Sequence, residues 1–138
     1  MNTPAPLTCT LVPEDRRIAH TADLFGIHFP LRLEPFVFDV AAKLSRDYKG
    51  GYWHFYAVSN GAFYMAPDSD RFFHVSCENC FEGDLSADAL GITVCLYAYS
   101  HLSFSDSDFA ETCARQYHWL REYMLEHPEA AAILGAID

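Results

Sequence analysis

Positive charge is scarce in this chain. Nine lysines and arginines stand against nineteen acids, for a formal net charge of −10. Residues 1–49 hold six of each sign and are neutral. Residues 50–138 hold thirteen acids against Arg71, Arg115 and Arg121 alone. Direct nucleic-acid binding is therefore not expected, because neutralising phosphates needs clustered Lys and Arg. Long apolar runs are also missing. None reaches the roughly twenty residues of a membrane-spanning helix, so no membrane contact is expected. The N-terminus has neither a basic start nor an apolar stretch of the secretory kind, which makes the cytoplasm the expected compartment. Five cysteines (Cys9, Cys77, Cys80, Cys95, Cys113) cannot all pair within one chain, and an odd count of this kind favours reduced thiols. No His-Glu-x-x-His pair, Gly-x-Ser-x-Gly elbow or Walker loop occurs, so the familiar signatures of zinc proteases, serine hydrolases and P-loop enzymes are absent.

What is abundant is apolar and aromatic: 51% and 15% of 138 residues. That is enough for one compact domain with a core of its own. Residues 1–12 are read as a flexible N-terminal arm and 13–138 as the single domain. Pro13-Glu14-Asp15 opens a helix towards Asp23, stopped by Gly26. Glu34-Pro35 opens a second helix, with Phe36, Val37, Val40, Ala41 and Leu44 on a 3.6-residue period and Gly50-Gly51 as its stop. Strands are predicted over 52–58, 62–66 and 71–76, as a meander whose first turn is Asn60-Gly61 in a type I′ conformation. Phe81 to Asp84 reads as loop. Ser86 caps a third helix whose segment Ala89–Tyr99 is apolar all round and hence buried, with Leu85 and Leu90 forming a hydrophobic staple. A capping box at Asp108 and Glu111 starts a fourth helix to about Glu126. Its inward stripe is Phe109, Cys113, Leu120 and Met124, and Glu111 can pair with Arg115 outside. Pro128 opens a short last helix through Leu134. The expected fold is α+β: an antiparallel aromatic hairpin or meander at about 52–76, packed by four to five helices.

Candidate chemistry is sparse. Cys77-Glu78-Asn79-Cys80 is half a zinc site or a redox pair, with His74 three residues upstream. No second Cys/His pair follows at a usual spacing. On a continuing strand His74 and Cys77 would face opposite sides, and the two cysteines converge only across a turn at Glu78-Asn79. A metal- or redox-responsive regulator using Cys77 and Cys80 is the alternative reading. A hydrolase or nuclease working through His54 or His74 is a third; both imidazoles read more readily as packing or surface residues. No enzyme, cofactor or metal is expected.

The acids remain. Asp68 and Asp70 share one loop, and Glu82, Asp84 and Asp88 follow; these five are the candidate contact surface for a basic partner, set against the plainer role of a solvated face. Full imitation of a duplex fails on magnitude. A domain of this length is roughly 35–40 Å across, and duplex DNA of that length carries about 20 charges, one per ~1.7 Å. Nineteen carboxylates in all cannot supply that on one side.

One string is unusual enough to carry a family likeness. Gly50-Gly51, Tyr52-Trp53, Phe55-Tyr56, Ser59-Asn60-Gly61 and Phe63-Tyr64-Met65-Ala66-Pro67 together resemble the signature of the antirestriction family known as ArdB/KlcA, small proteins of conjugative plasmids and other mobile elements. The likeness extends over about 33–104. It implies a compact mixed α/β globule, distinct from elongated acidic DNA mimics, that relieves host type I restriction–modification and so protects incoming plasmid DNA. It brings no catalytic or binding residues with it. The expected partner is the type I restriction–modification complex or an associated host protein, contacted by a monomer.

Overall fold

A computed structural model describes residues 5–105 and 107–138. Its centre is a helix that belongs to no surface. The segment after Ser86 forms α3, Ala87–Leu102, and eleven of its sixteen residues are buried. As the sequence predicts, Ser86 caps it: its hydroxyl accepts the Ala89 N–H at 3.1 Å. A helix that is apolar on every side must be covered on every side. Strand β3 (Phe63–Pro67) and helices α2 (Glu34–Leu44), α4 (Asp108–Met124) and α5 (Ala130–Ile137) share that task.

The β3 contact is the tightest. A Cβ on Gly91 would sit 2.4 Å from the Met65 carbonyl oxygen and 2.5 Å from the Ala66 Cβ, so helix backbone lies directly on strand backbone. Thr93 and Tyr99 flank this seam. The Thr93 hydroxyl donates back to the Ala89 carbonyl (2.8 Å), and the Tyr99 hydroxyl donates to the Phe63 carbonyl (2.7 Å), which leaves no polar atom of either stranded.

β3 pairs antiparallel with β2 (Trp53–Val58), and β2 with β1 (Cys9–Leu11). Of the expected arm, residues 1–4 lie outside the described residues, whereas Cys9–Leu11 is the outer strand of this sheet. The hairpin turn differs from the predicted type I′. Among the described residues Cys80 alone has positive φ without being glycine, so Asn60 does not take that conformation, and Gly61 does, at +103°. The loop is three residues long, Ser59-Asn60-Gly61, with Gly61 in the left-handed position. Asn60 acts through its side chain: Oδ1 accepts the Ala62 N–H (3.0 Å) and Nδ2 donates to the Trp119 carbonyl on α4 (2.9 Å). Buried Gln116 clamps the same turn, accepting from Phe63 N–H (2.8 Å) and donating to the Gly61 carbonyl (3.1 Å). Around Phe63 the rings of Phe25, Phe29 and Phe55 stand edge-on at centroid distances of 5.4–5.7 Å.

The third expected strand forms, as β4 (Phe72–Ser76), and its partner is β5 (Glu82–Ser86), a stretch read from sequence as loop running into the cap of α3. Two small antiparallel sheets result. Glu-Gly-Asp has little intrinsic strand preference, so pairing and not propensity makes this strand. The free edge of β4 is closed by the end of α2: His74 N–H donates to Asp47 (2.8 Å) and Ser45 donates to the His74 carbonyl (2.7 Å).

The N-terminal helical segment is a 3₁₀ turn (Glu14–Arg16) leading into α1 (Arg17–Phe25), ended by Gly26 at φ +59°. A π-helical turn, Phe29–Leu33, then precedes α2. The stripe on α4 is buried as read. Its capping box is not made: Ser107 is the N-cap residue, and its side chain makes no cap hydrogen bond. Arg115 reaches Thr112 (3.4 Å), with no ion pair to Glu111. Pro128 sits in the turn before α5, and that helix runs on to Ile137. No helix among the described residues is long and apolar enough to cross a membrane.

The seam predicts a large response to a small change. Gly91→Ala improves intrinsic helix propensity by about 1 kcal/mol, but overpacking against backbone costs roughly 3 kcal/mol or more. The net effect expected is a Tm lower by about 10 °C. Thermal denaturation checks this, and a variant melting at or above the wild-type temperature would mean that α3 does not rest directly on β3.

Candidate functional site

Three groups of acids emerge from the five sequence candidates. Asp68 follows β3 immediately, and its N–H extends the ladder by donating to the Tyr52 carbonyl (2.8 Å). Its exposed carboxylate lies 3.0 Å from His54 Nε2. His54 projects from the outer face of β2, between the edges of Tyr52 and Tyr56 at 5.3 and 6.3 Å. Tyr52 in turn receives a hydrogen bond from Arg17 (2.7 Å) and donates to Glu14, and the Glu14 hydrogen bond raises the phenol pKa. Asp70 is exposed two residues further on. The strip therefore reads acid, imidazole, phenol, guanidinium, acid.

Glu82 and Asp84 lie on the outer face of the β4–β5 hairpin, opposite Ser76 and His74. Asp84 Oδ1 is 2.9 Å from His74 Nδ1, and Glu82 is 4.0 Å from Nε2. The Asp84 hydrogen bond, opposed by partial desolvation and helped by the charges of Asp84, Glu82 and Asp47, raises the His74 pKa. Arg46 and Lys43 border the same cleft, and Phe72 stands 64% exposed on the same strand face. The sequence showed these acids as nearly bare of positive charge. The fold gives them an imidazole within the patch and two bases from the end of α2 and the turn after it, 36 to 41 residues away in the chain.

Asp88 is placed differently from the other four. It is half-buried at the first turn of α3, where one carboxylate oxygen accepts from the Tyr64 hydroxyl (2.7 Å) and the other from His127 Nε2 (2.8 Å). Glu129 N–H donates to His127 Nδ1 (3.0 Å), so Nδ1 is the acceptor and the ring proton sits on Nε2. Glu129 also takes the N–H and hydroxyl of Ser86, tying the start of α5 to the cap of α3. Burial alone pushes the Asp88 carboxyl up, but the His127 and Tyr64 hydrogen bonds outweigh it and leave the pKa below the ordinary value. Burial and the Asp88 charge push the Tyr64 phenol well up. This network joins β3, α3 and the approach to α5. Little in the spacing of Tyr64, Asp88, His127 and Glu129 announces it, because apart from the local His127–Glu129 bond its contacts span 24 or more residues.

The cysteine pair sits in the β4–β5 loop. Cys80 N–H bonds the Cys77 carbonyl (3.0 Å) around a turn at Glu78-Asn79. Cys77 is buried and Cys80 exposed, the latter at φ +72°. Burial raises the Cys77 thiol pKa against the effect of the neighbouring Tyr97 hydroxyl, and burial pushes Cys113, and Cys95 in spite of its contact with the Met65 carbonyl, up to about 12. These three are therefore neutral thiols near pH 7 and poor nucleophiles. Asn79 anchors the loop on the Gly135 and Ala136 carbonyls of α5 (3.0 and 3.2 Å). Among the described residues no three His, Cys, Asp or Glu side chains gather closely enough to hold a metal ion.

Known proteins resemble this chain over nearly its whole length. The family model described as "Antirestriction protein" matches residues 46–138. An Escherichia coli protein named "Antirestriction protein KlcA" is 40% identical over 136 residues, 96% of each chain. An uncharacterised protein of E. coli K12, YafX, is 43% identical over 136 residues, covering 96% of this chain and 88% of its own. A solved structure superimposes with a TM-score of 0.90 at 42% identity, covering 100% of both chains. It comes from work on KlcA and ArdB proteins, described as showing "a novel fold and antirestriction activity against Type I DNA restriction systems in vivo but not in vitro". The family match includes the C-terminal helices, beyond the central stretch where the sequence likeness was read.

Two outcomes follow for the acid groups. Asp88→Asn weakens both hydrogen bonds of a half-buried carboxylate and lowers stability at neutral pH by about 1–3 kcal/mol. Because the folded pKa is depressed, that contribution is present above the ordinary carboxylate pKa and lost as pH falls through the folded value. The gap between variant and wild type in chemical denaturation should therefore narrow below about pH 4. At the exposed patch, NMR titration of His74 should give a pKa above about 6.5 that falls back towards this value in Asp84→Asn. An unchanged His74 titration in that variant would dissolve the pair.

Proposed function

The chain belongs to the antirestriction protein family, and from that premise we propose that it relieves type I restriction of unmodified incoming DNA by binding a protein of the host, without acting as a full duplex mimic. The observation that carries this reading is how the acids are used. Asp68 faces His54, Asp84 and Glu82 face His74, Glu78 pairs with Lys43 at 3.4 Å, Asp47 closes the edge of β4, and Asp88 and Glu129 hold helices in place. A duplex mimic needs an unneutralised array at phosphate spacing, about 20 charges over a domain this wide. Carboxylates committed one by one to neighbours do not supply it. The in vivo but not in vitro activity described for KlcA and ArdB fits an inhibitor whose target includes a component present only in the cell.

The contact face we favour is the exposed part of the acid groups: Asp68 and Asp70 on their loop, and Glu82 and Asp84 beside Phe72. Exposed acids around an aromatic ring suit a basic partner with an apolar centre. The partner is the type I complex or a host protein acting with it. Asp88 serves this face only as a brace.

Plating efficiency of unmodified phage on a host with an active type I system tests the reading. Expression of the protein should raise it by orders of magnitude, with no rise in a restriction-deficient host. The double variant Glu82→Lys, Asp84→Lys should lose about tenfold or more of that relief while keeping the wild-type Tm. Absence of relief by well-expressed wild type overturns the function. Full relief by the charge-reversed variant moves the contact to another face.

A further inference from the structure

Between α1, the π-helical turn and β2 lies a cleft of about 500 Å³ that none of the five candidate acids lines. Phe29 and Phe55 are buried in its wall, and Ile18 and Ile27 stand beside it, 85% and 65% exposed. Leu31, on the same π-helical turn, is 69% exposed. Single apolar residues on a surface mean little, but Ile18 and Ile27 border one concavity together with the buried rings of Phe29 and Phe55. The π-turn adds to this, because such turns recur at functional sites. Its volume exceeds that of any single side chain and lies in the range of about 300–1,000 Å³ typical of ligand sites.

Two charged residues line the cleft. Arg17 is largely engaged: its guanidinium lies 4.2 Å over Phe55 and 4.9 Å over Tyr52, and it donates to the Tyr52 hydroxyl and the Trp53 carbonyl (2.7 and 2.9 Å). Both hydrogen bonds leave from Nη2, and Nε is buried without a partner among the described residues. Glu34 is the reverse case. Its carboxylate is half-buried, and no hydrogen bond or ion pair within 4.0 Å engages it among the described residues. Burial raises its pKa in spite of the opposing field of Arg17. The first turn of α2 favours an acid through the helix dipole, but that benefit is available in full solvent and does not require burial in an apolar cleft. A partly desolvated carboxylate without a donor is costly, and it marks a surface that something else completes.

We propose that this cleft receives a segment of the protein partner that pairs an aliphatic or aromatic side chain with a neighbouring Lys or Arg. The apolar side chain packs on Phe29, Phe55 and Ile27, and the cation meets Glu34. Charge complementarity selects this occupant: the missing group at Glu34 is a donor, and a Lys or Arg beside an apolar side chain supplies both the donor and the opposite charge. The inference rests on the protein-contact reading above and adds the chemistry of the segment contacted.

Plating efficiency tests it with Glu34→Gln, Glu34→Lys and Ala22→Trp, the last filling the cleft from an exposed position on α1. Glu34→Gln should lose relief several-fold, and Glu34→Lys and Ala22→Trp about tenfold or more, all with near-wild-type Tm. Full relief by all three beside an active wild type overturns the cleft and leaves the restriction reading standing. A second measurement does not depend on restriction. In an NMR titration with acetyl-Leu-Lys-Leu-amide, the amides of Ile18, Ile27 and Glu34 should shift, more strongly than with the Leu-Glu-Leu peptide and not at all in Ala22→Trp. Equal shifts with both peptides, or none in the cleft, overturn the proposal. So does a concentration-dependent dimer in sedimentation that Ala22→Trp abolishes, since the occupant would then be a second copy.

Discussion

Everything in this fold is arranged around the contact of α3 with β3. At Gly91 the helix backbone meets the strand backbone with no side chain between them, and the Tyr99 hydroxyl adds a hydrogen bond to the Phe63 carbonyl along the same seam. Two consequences follow from an all-apolar helix held this way. The other elements must each present one apolar face inward, which α2, α4 and α5 do, and none of them has freedom to tilt far without opening the core. The outer faces are then left to carry charge. The aromatic string that dominates the sequence is largely the inner lining of this arrangement: Trp53, Phe55, Phe63 and Tyr64 are buried, whereas Tyr52 and His54 face outward.

Much of this was legible residue by residue. Several local signals held: Ser86 caps α3, Gly26 ends α1, and the α4 stripe turns inward, whereas the capping box expected at Asp108 and Glu111 is not made. The misreadings share a physical cause. β5 is a strand only because β4 lies beside it, since Glu82-Gly83-Asp84 has no strand preference of its own. The Asn60 side chain spends itself on Ala62 and on Trp119 of α4, and the turn takes a conformation that leaves those bonds available. The π-turn before α2 has no sequence signature beyond Pro30, and with it the cleft was invisible. In the candidate site, Asp68, Asp70, Glu82 and Asp84 are exposed and Asp88 is half-buried, and the sequence did not show the neighbours of any of them. His74 lies ten residues from Asp84, and Arg46 further still; only the hairpin and the end of α2 bring them together.

Pairing an acid with an imidazole makes its charge conditional. With a raised pKa, His74 is fully protonated below the ordinary histidine value and sheds its proton as pH rises through the folded one. The β4–β5 face is therefore least negative in mild acid and gains negative charge through the neutral range. At Asp88 the imidazole is held at both nitrogens, with His127 accepting from Glu129 N–H at one and donating to the carboxylate at the other. The two carboxylates face the same kind of side chain and do different work. One tunes a surface; the other fixes a joint.

Surface charge and the cleft also act over different distances. Exposed charges act over about 8–10 Å in physiological salt and govern the rate and orientation of encounter more than the final affinity. An apolar cleft acts only on contact, and its contribution depends on shape and on whether buried polar groups find partners. A restriction antagonist that must meet its target before incoming DNA is cut needs both, fast capture and a contact that lasts. On the reading proposed above, the acid patches on the hairpins supply the first and the Phe29–Phe55 cleft with Glu34 the second. Both stand on elements that the Gly91 seam holds in place, so the two surfaces keep a constant relation to each other, and a partner able to engage one meets the other in a fixed geometry.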